Sequence, residues 1–430
     1  MCVHSNEAAD ADTQGTSLGD VRPGDSKPSS EPFPWELGVF DAHCHPTDTM
    51  ASISSIPSMK ARVLTVMATR SQDQELVSVV ASEHGVRDGK ALLSSDLALS
   101  DSNRIIPSFG WHPWFSYQLY DDTVPNPTYD GTQAGKIAHY DQVLAPAPSL
   151  KDVSFSEGLC NPRPLSEFLQ DTRKRLEKFP LGLVGEIGLD KAFRLPVNWS
   201  SDLQIEREEG LTPGGREGRR LSPYRVQMAH QIAILKAQLK LAGELGRPVS
   251  VHGVQAHGML YETIAECWKG FEKEVLSRRQ RRQIAPGAED FTSSADDSDV
   301  ESDAAPSTHI KARDKHEFKS KPFPPRICLH SYSGPVEQLK LYIHPSVPAK
   351  VYFSFSMAIN WGAGGKQKIE EVLLVVPDNR ILVESDLHTA GNQMDDDLEE
   401  VCRKICLVKG WELRKGVEML ARNWQEFLLG

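Results

Sequence analysis

The amino-acid sequence predicts an α/β protein built as a (β/α)8 barrel of the TIM type. Eight short runs of apolar and β-branched residues recur along the 430-residue chain, and each ends in polar or charged residues. Segments with helical periodicity lie between these runs, an alternation that is typical of parallel strands covered by helices. Setting aside two polar stretches leaves about 350 residues, a length that suits one barrel with insertions.

The eight runs are predicted to be parallel strands because near-continuous apolar sequence suits strands that are buried on both faces. In order they are Val39–His43, Val63–Ala68, Ile105–Gly110, Gly182–Glu186, Pro248–His252, Ile327–His330, Val351–Phe355 and Ile381–Glu384. The amphipathic segments predicted to be helices are Leu165–Phe179, Tyr224–Leu245, Val336–Ile343, Lys366–Leu374, Leu398–Val408 and Val417–Leu429.

Two connections, residues 116–163 and 191–222, are longer than a barrel needs. Both follow the end of a predicted strand, and loops in that position lie on the catalytic face of a barrel. We therefore expect these segments to shape a substrate site or to act as lids.

The rest of the chain divides into a disordered tail, residues 1–34, and one barrel domain, residues 35–430. The tail is rich in Ser, Asp, Glu, Gly and Pro and has few apolar residues to bury. Within the domain, residues 277–321 begin and end with basic residues around an acidic middle. This composition predicts a charged, disordered insertion and not a further domain.

Charge and cysteine content limit the classes of function. Asp and Glu outnumber Lys and Arg, 59 against 48, and the net charge of −11 excludes a basic protein that coats nucleic acid. Seven scattered cysteines without a CxxC pair fit reduced thiols. The sequence has no secretory apolar region and no run of the ~20 apolar residues that a membrane span requires, so we expect a cytoplasmic or nuclear protein without a membrane partner.

Metal-ligand residue types stand at the ends of five predicted strands. Successive strand residues alternate in direction, so His43 and His45 project to the same side, as two ligands of one ion must. In a closed barrel such residues converge on the C-terminal mouth, where barrel enzymes carry their active sites. The full set is His43, His45, Glu186, His252, His330, Glu384 and Asp386.

The residue types in this set indicate a hydrolytic metal centre. Imidazole and carboxylate together suit Zn²⁺, Mn²⁺ or Fe²⁺ better than Ca²⁺. The set exceeds the needs of one tetrahedral ion, whereas two ions about 3.5–4 Å apart and bridged by a carboxylate would use all of it. Such centres activate water to split phosphodiesters or amides, and both reactions stay open on these residues alone.

Seven motifs, in their order and spacing, resemble the TatD family of metal-dependent deoxyribonucleases. They are DAHCHPTD (41–48), FGWHPWF (109–115), LVGEIGLD (183–190), RPVSVHG (247–253), ICLHSYSG (327–334), VYFSFS (351–356) and ILVESD (381–386). The layout is also similar to a fungal branch of TatD-like proteins, some described as partners of a subunit of the anaphase-promoting complex. That branch implies a cell-cycle protein as a partner.

The resemblance implies a centre of two divalent metal ions, with zinc, manganese or magnesium as candidates. His43, His45 and Asp386 would bind the first ion. His252 and His330 would bind the second ion.

Further roles follow from the same resemblance. Glu186 would bridge the two ions, and Asp386 would take a proton from the attacking water, so these two are the implied catalytic residues. His112, in the family's GxHP motif, is expected to contact phosphate or to orient a ligand. Glu384 is expected to orient a histidine ligand or the water.

One segment departs from the family pattern. Much of the family reads His-Ser-Arg-Asp-Ala after the fifth strand, whereas Gly253, Val254 and Gln255 follow His252 here. An arginine would contact phosphate through its planar set of donors, and neither Val254 nor Gln255 can replace it. This departure affects the choice of substrate or the rate of cleavage.

Together these observations predict a metal-dependent hydrolase of DNA or another phosphodiester, a deoxyribonuclease of the 3′-5′ exonuclease type. One alternative is an amidohydrolase acting on C–N bonds, although no lysine stands at the end of the fourth strand to be carboxylated. The other is a cell-cycle interaction protein on a retained barrel. The intact strand-end ligands argue against a barrel that has lost its activity.

Overall fold

The computed structural model describes residues 31–93, 103–199, 210–275, 320–362 and 366–430. The predicted tail, residues 1–34, lies outside these ranges except for its last four residues. The predicted insertion, residues 277–321, lies outside them except for residues 320 and 321. Disorder of both segments and the limits of the domain therefore stay predictions.

Eight parallel strands occur where the sequence predicts them. They are β1 (Phe40–Cys44), β2 (Val63–Met67), β3 (Ile105–Ser108), β4 (Val184–Asp190), β5 (Val249–Val254), β6 (Arg326–Leu329), β7 (Lys350–Phe355) and β8 (Ile381–Val383). Consecutive strands pair in parallel within one sheet of β1 to β3 and one of β4 to β8.

Backbone contacts join the two sheets into a barrel. A parallel bridge pairs Ser108 of β3 with Leu183, which directly precedes β4. At the other seam, the N–H of Asp386, after β8, donates to the carbonyl of His43 on β1 at 3.0 Å. The predicted (β/α)8 barrel is confirmed, and its strand ends meet at one mouth.

Helices alternate with the strands or lie in the long connections, and all six that the sequence predicts are present. In chain order they are α1 (Ser71–His84), α2 (Lys90–Leu93), α3 (Gln133–Val143), α4 (Val153–Gly158), α5 (Leu165–Lys178), α6 (Met228–Glu244), α7 (His257–Cys267), α8 (Val336–Tyr342), α9 (Met357–Asn360), α10 (Lys366–Val375), α11 (Asn392–Lys409) and α12 (Leu413–Leu429). Among the described helices, none is both long and apolar enough to cross a lipid bilayer.

Strand β4 runs further than the sequence predicts, to Asp190 and not only to Glu186. Ile187 and Leu189 are fully buried in the core, and Asp190 still pairs with Val254 of β5. The apolar alternation thus continues past the buried carboxylate, which the sequence reasoning took for the end of the strand. Glu186 therefore projects from within a rigid strand.

The two long connections form a small lobe beside the mouth. Helices α3 and α4 belong to the first connection, and Leu144 pairs antiparallel with Val226 at the end of the second. Tyr140, Phe155 and Tyr224 pack together in a separate apolar cluster. The part of the second connection at residues 200–209 lies outside the described ranges. A role of this lobe as a lid stays a prediction.

The described flanks of the 277–321 segment lie on the opposite face of the barrel. Before the segment, the N–H of Lys273 donates to the carbonyl of Ser346, in the connection that leads into β7. After it, the backbone of Phe323 lies so close to Gly243, near the end of α6, that a Cβ there would meet it at 2.5 Å. Connections that lead into strands lie on the N-terminal face of a barrel.

Candidate metal centre

The predicted metal ligands come together in one buried cluster at the mouth of the barrel. Short distances join side chains from β1, β4, β5 and the residues that follow β6 and β8. The six predicted ligands are His43, His45, Glu186, His252, His330 and Asp386. The cluster separates into two donor sets, and Glu186 contributes one oxygen to each set.

The first donor set combines His43 of β1 and His45, which directly follows this strand, with two carboxylates. The Nε2 atoms of His43 and His45 lie 3.1 Å apart. Oε2 of Glu186 lies 3.5 Å and 3.4 Å from these nitrogens, and Oδ1 of Asp386 lies 3.8 Å and 3.5 Å from them. Ligands of a tetrahedral ion at ~2.1 Å are about 3.4 Å apart, so the two nitrogens and Oε2 of Glu186 have the spacing of ligands of one cation, and Oδ1 of Asp386 lies beside the two nitrogens.

The second donor set gathers around the other oxygen of Glu186. Oε1 lies 2.9 Å from Nε2 of His330 and 3.0 Å from Nδ1 of His252. Nε2 of His112 also lies 3.0 Å from Oε1. The sequence analysis expected His112 to contact phosphate or to orient a ligand, and the geometry adds a third possibility, a place among the ligands of the second set.

The chemistry of the cluster fits divalent cations. Five imidazole nitrogens lie within 3.5 Å of the two oxygens of Glu186. A carboxylate offers about four lone-pair positions, so Glu186 cannot accept a hydrogen bond from all five imidazoles. A cation in each set would instead accept the lone pairs of neutral imidazoles. The number and identity of the ions remain proposals.

Two further donor groupings in the cluster have the spacing of metal ligands. His112, Glu186 and His252 form one, and His43, His330 and Glu384 form the other, with all ligand atoms of each within 4.8 Å. The second grouping shares His43 with the first donor set and His330 with the second donor set. The rings of these two histidines stack with centroids 3.9 Å apart. Both groupings describe the same buried cluster.

Polar groups lie behind the rings of two of the histidines. Oγ of Ser250 lies 2.8 Å from Nδ1 of His43. Oε1 of Glu384 lies 3.6 Å from Nδ1 of His330 and accepts the N–H of Ser331 at 2.8 Å. Glu384 is thus placed where it could orient a histidine, the role that the resemblance implies for it.

Asp190 is a site residue that the sequence analysis missed. Its Oδ2 lies 3.1 Å from Nε2 of His252, on the side of the ring away from Glu186. Glu186 and Asp190 are four residues apart on one strand and so share a face. This even spacing within the GEIGLD motif was the signal available in the sequence.

A charged network that sequence reasoning also missed lies beside the first set. Oδ2 of Asp48 lies 2.7 Å from Nδ1 of His388, and Oδ1 accepts a hydrogen bond from Arg70 at 3.0 Å. The ring of His388 stacks on that of His45 with centroids 5.3 Å apart. Although burial alone would raise the pKa of Asp48, His388 and Arg70 hold it well below its usual value.

Burial and neighbouring charges shift the pKa values of the cluster in opposite directions. Burial lowers the pKa of His112 to about 4. For His252, burial also acts to lower the pKa, but Asp190 and Glu186 outweigh it and raise the value to about 9. Burial acts to raise the pKa of Glu186, but the surrounding histidines hold it well below its ordinary range. The central carboxylate is therefore ionised, as a bridging ligand must be.

Asp386 has an unusual backbone conformation at the mouth. Its φ is 56°, in the left-handed region that residues other than glycine rarely adopt. Such strain is held only where surrounding contacts over-determine it, and it concentrates at functional sites. In this conformation Oδ1 of Asp386 faces His43 and His45.

Comparisons with known proteins agree with this geometry. The family model described as TatD related DNase matches residues 40–429. The Cut9-interacting protein scn1 of Schizosaccharomyces pombe is 35% identical over 91% of this chain and 98% of its own length. An uncharacterized deoxyribonuclease of Saccharomyces cerevisiae is 26% identical over 67% of each chain.

A solved structure shares the fold. It is an uncharacterized amidohydrolase of Saccharomyces cerevisiae, with a TM-score of 0.50 and 13% identity over 91% of this chain and 99% of that one. The barrel with its clustered histidines and the family match over residues 40–429 lead to one conclusion. The chain belongs to the TatD related DNase family.

Proposed function

We propose that this chain is a metal-dependent hydrolase that cleaves phosphodiester bonds in DNA. Membership of the TatD family supports a metal-dependent hydrolase, and the name of the budding-yeast relative supports DNA as the substrate. The observation that carries the proposal is Glu186, whose two oxygens each face a separate set of buried imidazoles. One shared carboxylate between two donor sets is the arrangement that two-metal phosphodiesterases require.

In this proposal the bound ions and Asp386 have distinct tasks. Divalent ions held there would lower the pKa of a water and offset the charge that develops on the phosphate oxygens. Asp386 would accept the proton of that water, because it is ionised and its Oδ1 lies at the edge of the first set. Burial acts to raise its pKa, but His45, His330 and His43 outweigh burial and lower it.

His112 would work on the substrate side or as a further ligand of the second set. It precedes the 310 helix Pro113–Gln118, and its Nδ1 accepts the N–H of Trp114 at 3.1 Å. This bond fixes the ring so that Nε2 points to Glu186. With Val254 and Gln255 in place of charged residues, phosphate binding would depend on the ions and on His112.

The amidohydrolase alternative has less support. The yeast protein described as an amidohydrolase shares the fold at 13% identity, and a likeness of this kind shows the fold alone and not the reaction. In this chain the bridging position between the donor sets is held by Glu186, so no carboxylated lysine is needed there.

A protein partner is a second proposal, independent of the hydrolytic site. The fission-yeast relative is named for its interaction with Cut9 and matches 91% of this chain. We propose a corresponding cell-cycle partner for this chain, bound away from the mouth. Binding that persists in an inactive Asp386 variant would support two separate functions.

The test is a metal-reconstituted activity screen. Purified protein with Mn²⁺ or Zn²⁺ would be given end-labelled single- and double-stranded DNA, matched RNA and a panel of amides. We expect shortening of DNA from the 3′ end and a loss of at least about 10²-fold for Asp386→Asn, the low end for removal of a positioned base. Asp396→Asn, on the exposed part of α11, is the matched control. Cleavage of amides without cleavage of DNA would overturn the proposal.

A further inference from the structure

We infer that Trp114 and Asp190 are positioning residues that hold His252 in the tautomer needed by the second donor set. The inference rests on the proposed two-ion centre and adds to it the residues that govern its second position. Trp114 follows β3, Asp190 ends β4 and His252 lies on β5. The three side chains thus connect three neighbouring strands at the mouth.

Each oxygen of the Asp190 carboxylate faces two hydrogen-bond donors. Oδ1 accepts the backbone N–H groups of Ala192 and Phe193 at 2.7 Å and 2.9 Å. Oδ2 accepts the indole N–H of Trp114 at 2.5 Å and lies 3.1 Å from Nε2 of His252. A carboxylate bound on all sides cannot rotate, so its Oδ2 stays directed at His252.

This arrangement selects the protonation pattern of the His252 ring. Asp190 is an acceptor only, so the ring nitrogen that faces it, Nε2, must carry the hydrogen. With an ion in the second set, Nδ1 would then present its lone pair to that set, where it lies 3.0 Å from Oε1 of Glu186 and 3.2 Å from Nε2 of His330. A metal ligand whose far nitrogen donates to a carboxylate is fixed in tautomer and orientation.

Trp114 is itself held by rigid contacts. Its ring stacks on Phe193 with centroids 4.5 Å apart and an angle of 9°. It also meets the ring of His112 edge to face at 4.7 Å. Because Phe193 donates its backbone N–H to Asp190 as well, the stacked pair and the carboxylate form a closed unit. This unit touches two imidazoles of the second set.

The first donor set has separate support. Nδ1 of His43 faces Ser250, and within the described ranges neither His43 nor His45 forms a hydrogen bond with Asp190 or Trp114. Loss of the Trp114 bond should therefore weaken the second ion and leave the first one in place.

The test uses Trp114→Phe, which keeps the stacked ring and removes the N–H. Calorimetric titration of metal-free protein with Mn²⁺ or Zn²⁺ should show first-site affinity unchanged and second-site affinity lower by about 10-fold or more. Trp111→Phe is the matched control, because its indole N–H is also buried but donates to the carbonyl of Phe115 at 2.8 Å. The control variant should bind both ions as the wild type does.

A second measurement separates this inference from the proposed function. Nitrogen-15 spectra of the metal-free protein, recorded above pH 9 so that the His252 ring is neutral, should show His252 protonated at Nε2 in the wild type and a mixture of tautomers in Asp190→Leu. If the wild type binds no second ion, the two-ion proposal fails, and these spectra still decide the positioning role. Equal second-site affinity in Trp114→Phe and wild type, or an unchanged His252 tautomer in Asp190→Leu, would overturn the inference.

Discussion

Asp41 on β1 and Ser385 after β8 are joined by two hydrogen bonds that close the barrel beside the metal centre. The Ser385 N–H donates to Oδ1 of Asp41 at 3.1 Å, and the Ser385 hydroxyl donates to Oδ2 at 2.5 Å. Oδ1 also accepts the N–H of His43 at 3.0 Å. One buried carboxylate thus fixes the backbone that carries both His43 and Asp386.

Replacing Asp41 with Ala should lower both stability and affinity for the first ion. The substitution leaves three buried donors without an acceptor, so we expect the free energy of unfolding to fall by about 2–4 kcal/mol. Urea denaturation and metal titration would measure the two effects. Asp395→Ala is the control. Asp395 is also buried, and it accepts the backbone N–H groups of Lys60 and Ala61. The idea fails if both variants bind the first ion equally well.

The wild-type protein should hold two divalent ions per chain after reconstitution, and Glu186→Gln should hold fewer than one. The amide keeps the size of the side chain but removes the charge that both donor sets share. His252→Ala should retain one ion, because it alters the second set alone. Elemental analysis after desalting measures all three proteins. A wild-type content below about half an equivalent would contradict the two-ion arrangement.

Stability should depend on pH through His139 in the lobe. Its Nε2 donates to the carbonyl of Tyr117 at 2.8 Å, and burial lowers its pKa to about 4. Because the folded pKa lies below the unfolded value of about 6.5, stabilisation is complete above that pH and is lost as the pH falls toward 4, by up to about 3 kcal/mol.

Thermal unfolding between pH 7 and pH 4.5 would reveal this contribution. His139→Gln should show a shallower fall of the melting temperature with decreasing pH than the wild type. The same substitution at His344, on an exposed connection, should leave the slope as it is. Identical slopes for the wild type and His139→Gln would remove His139 as the cause.

Deletion of residues 277–321 should leave the metal centre intact. The described flanks of the segment lie on the N-terminal face, where Lys273 bonds to Ser346 and Phe323 packs on Gly243. With a short Gly-Ser linker, we expect metal content and turnover of a small chromogenic phosphodiester within about threefold of the wild type. Loss of turnover with fold and metals retained would show that the segment reaches the active site.

The sequence predicted the barrel well because its strands are short apolar runs. His43 and His45 could be assigned to one side because alternation along a strand is independent of the rest of the fold. Convergence of His252 and His330 on Glu186 followed once parallel strands were expected to end at one mouth.

Other features depend on contacts that a single sequence does not display. Asp190 orients His252 only because β4 extends beyond Glu186 and pairs there with β5. Ser250 faces His43 across the barrel interior, between strands far apart in the chain. The start of α11 at Asn392 was missed because Asp395, Asp396 and Asp397 interrupt the regular spacing of apolar residues in its first turns. Acidic residues near a helix N-terminus stabilise the helix.

The shared position of Glu186 also restricts how such an enzyme can change over evolutionary time. A substitution at the centre removes a ligand from both donor sets at once, so no single-ion descendant can arise by that route. A change at His45 or at His252 leaves the other set whole. Under the proposed two-ion centre, a form with one ion is therefore reached more directly by loss of an outer imidazole than by loss of the central carboxylate.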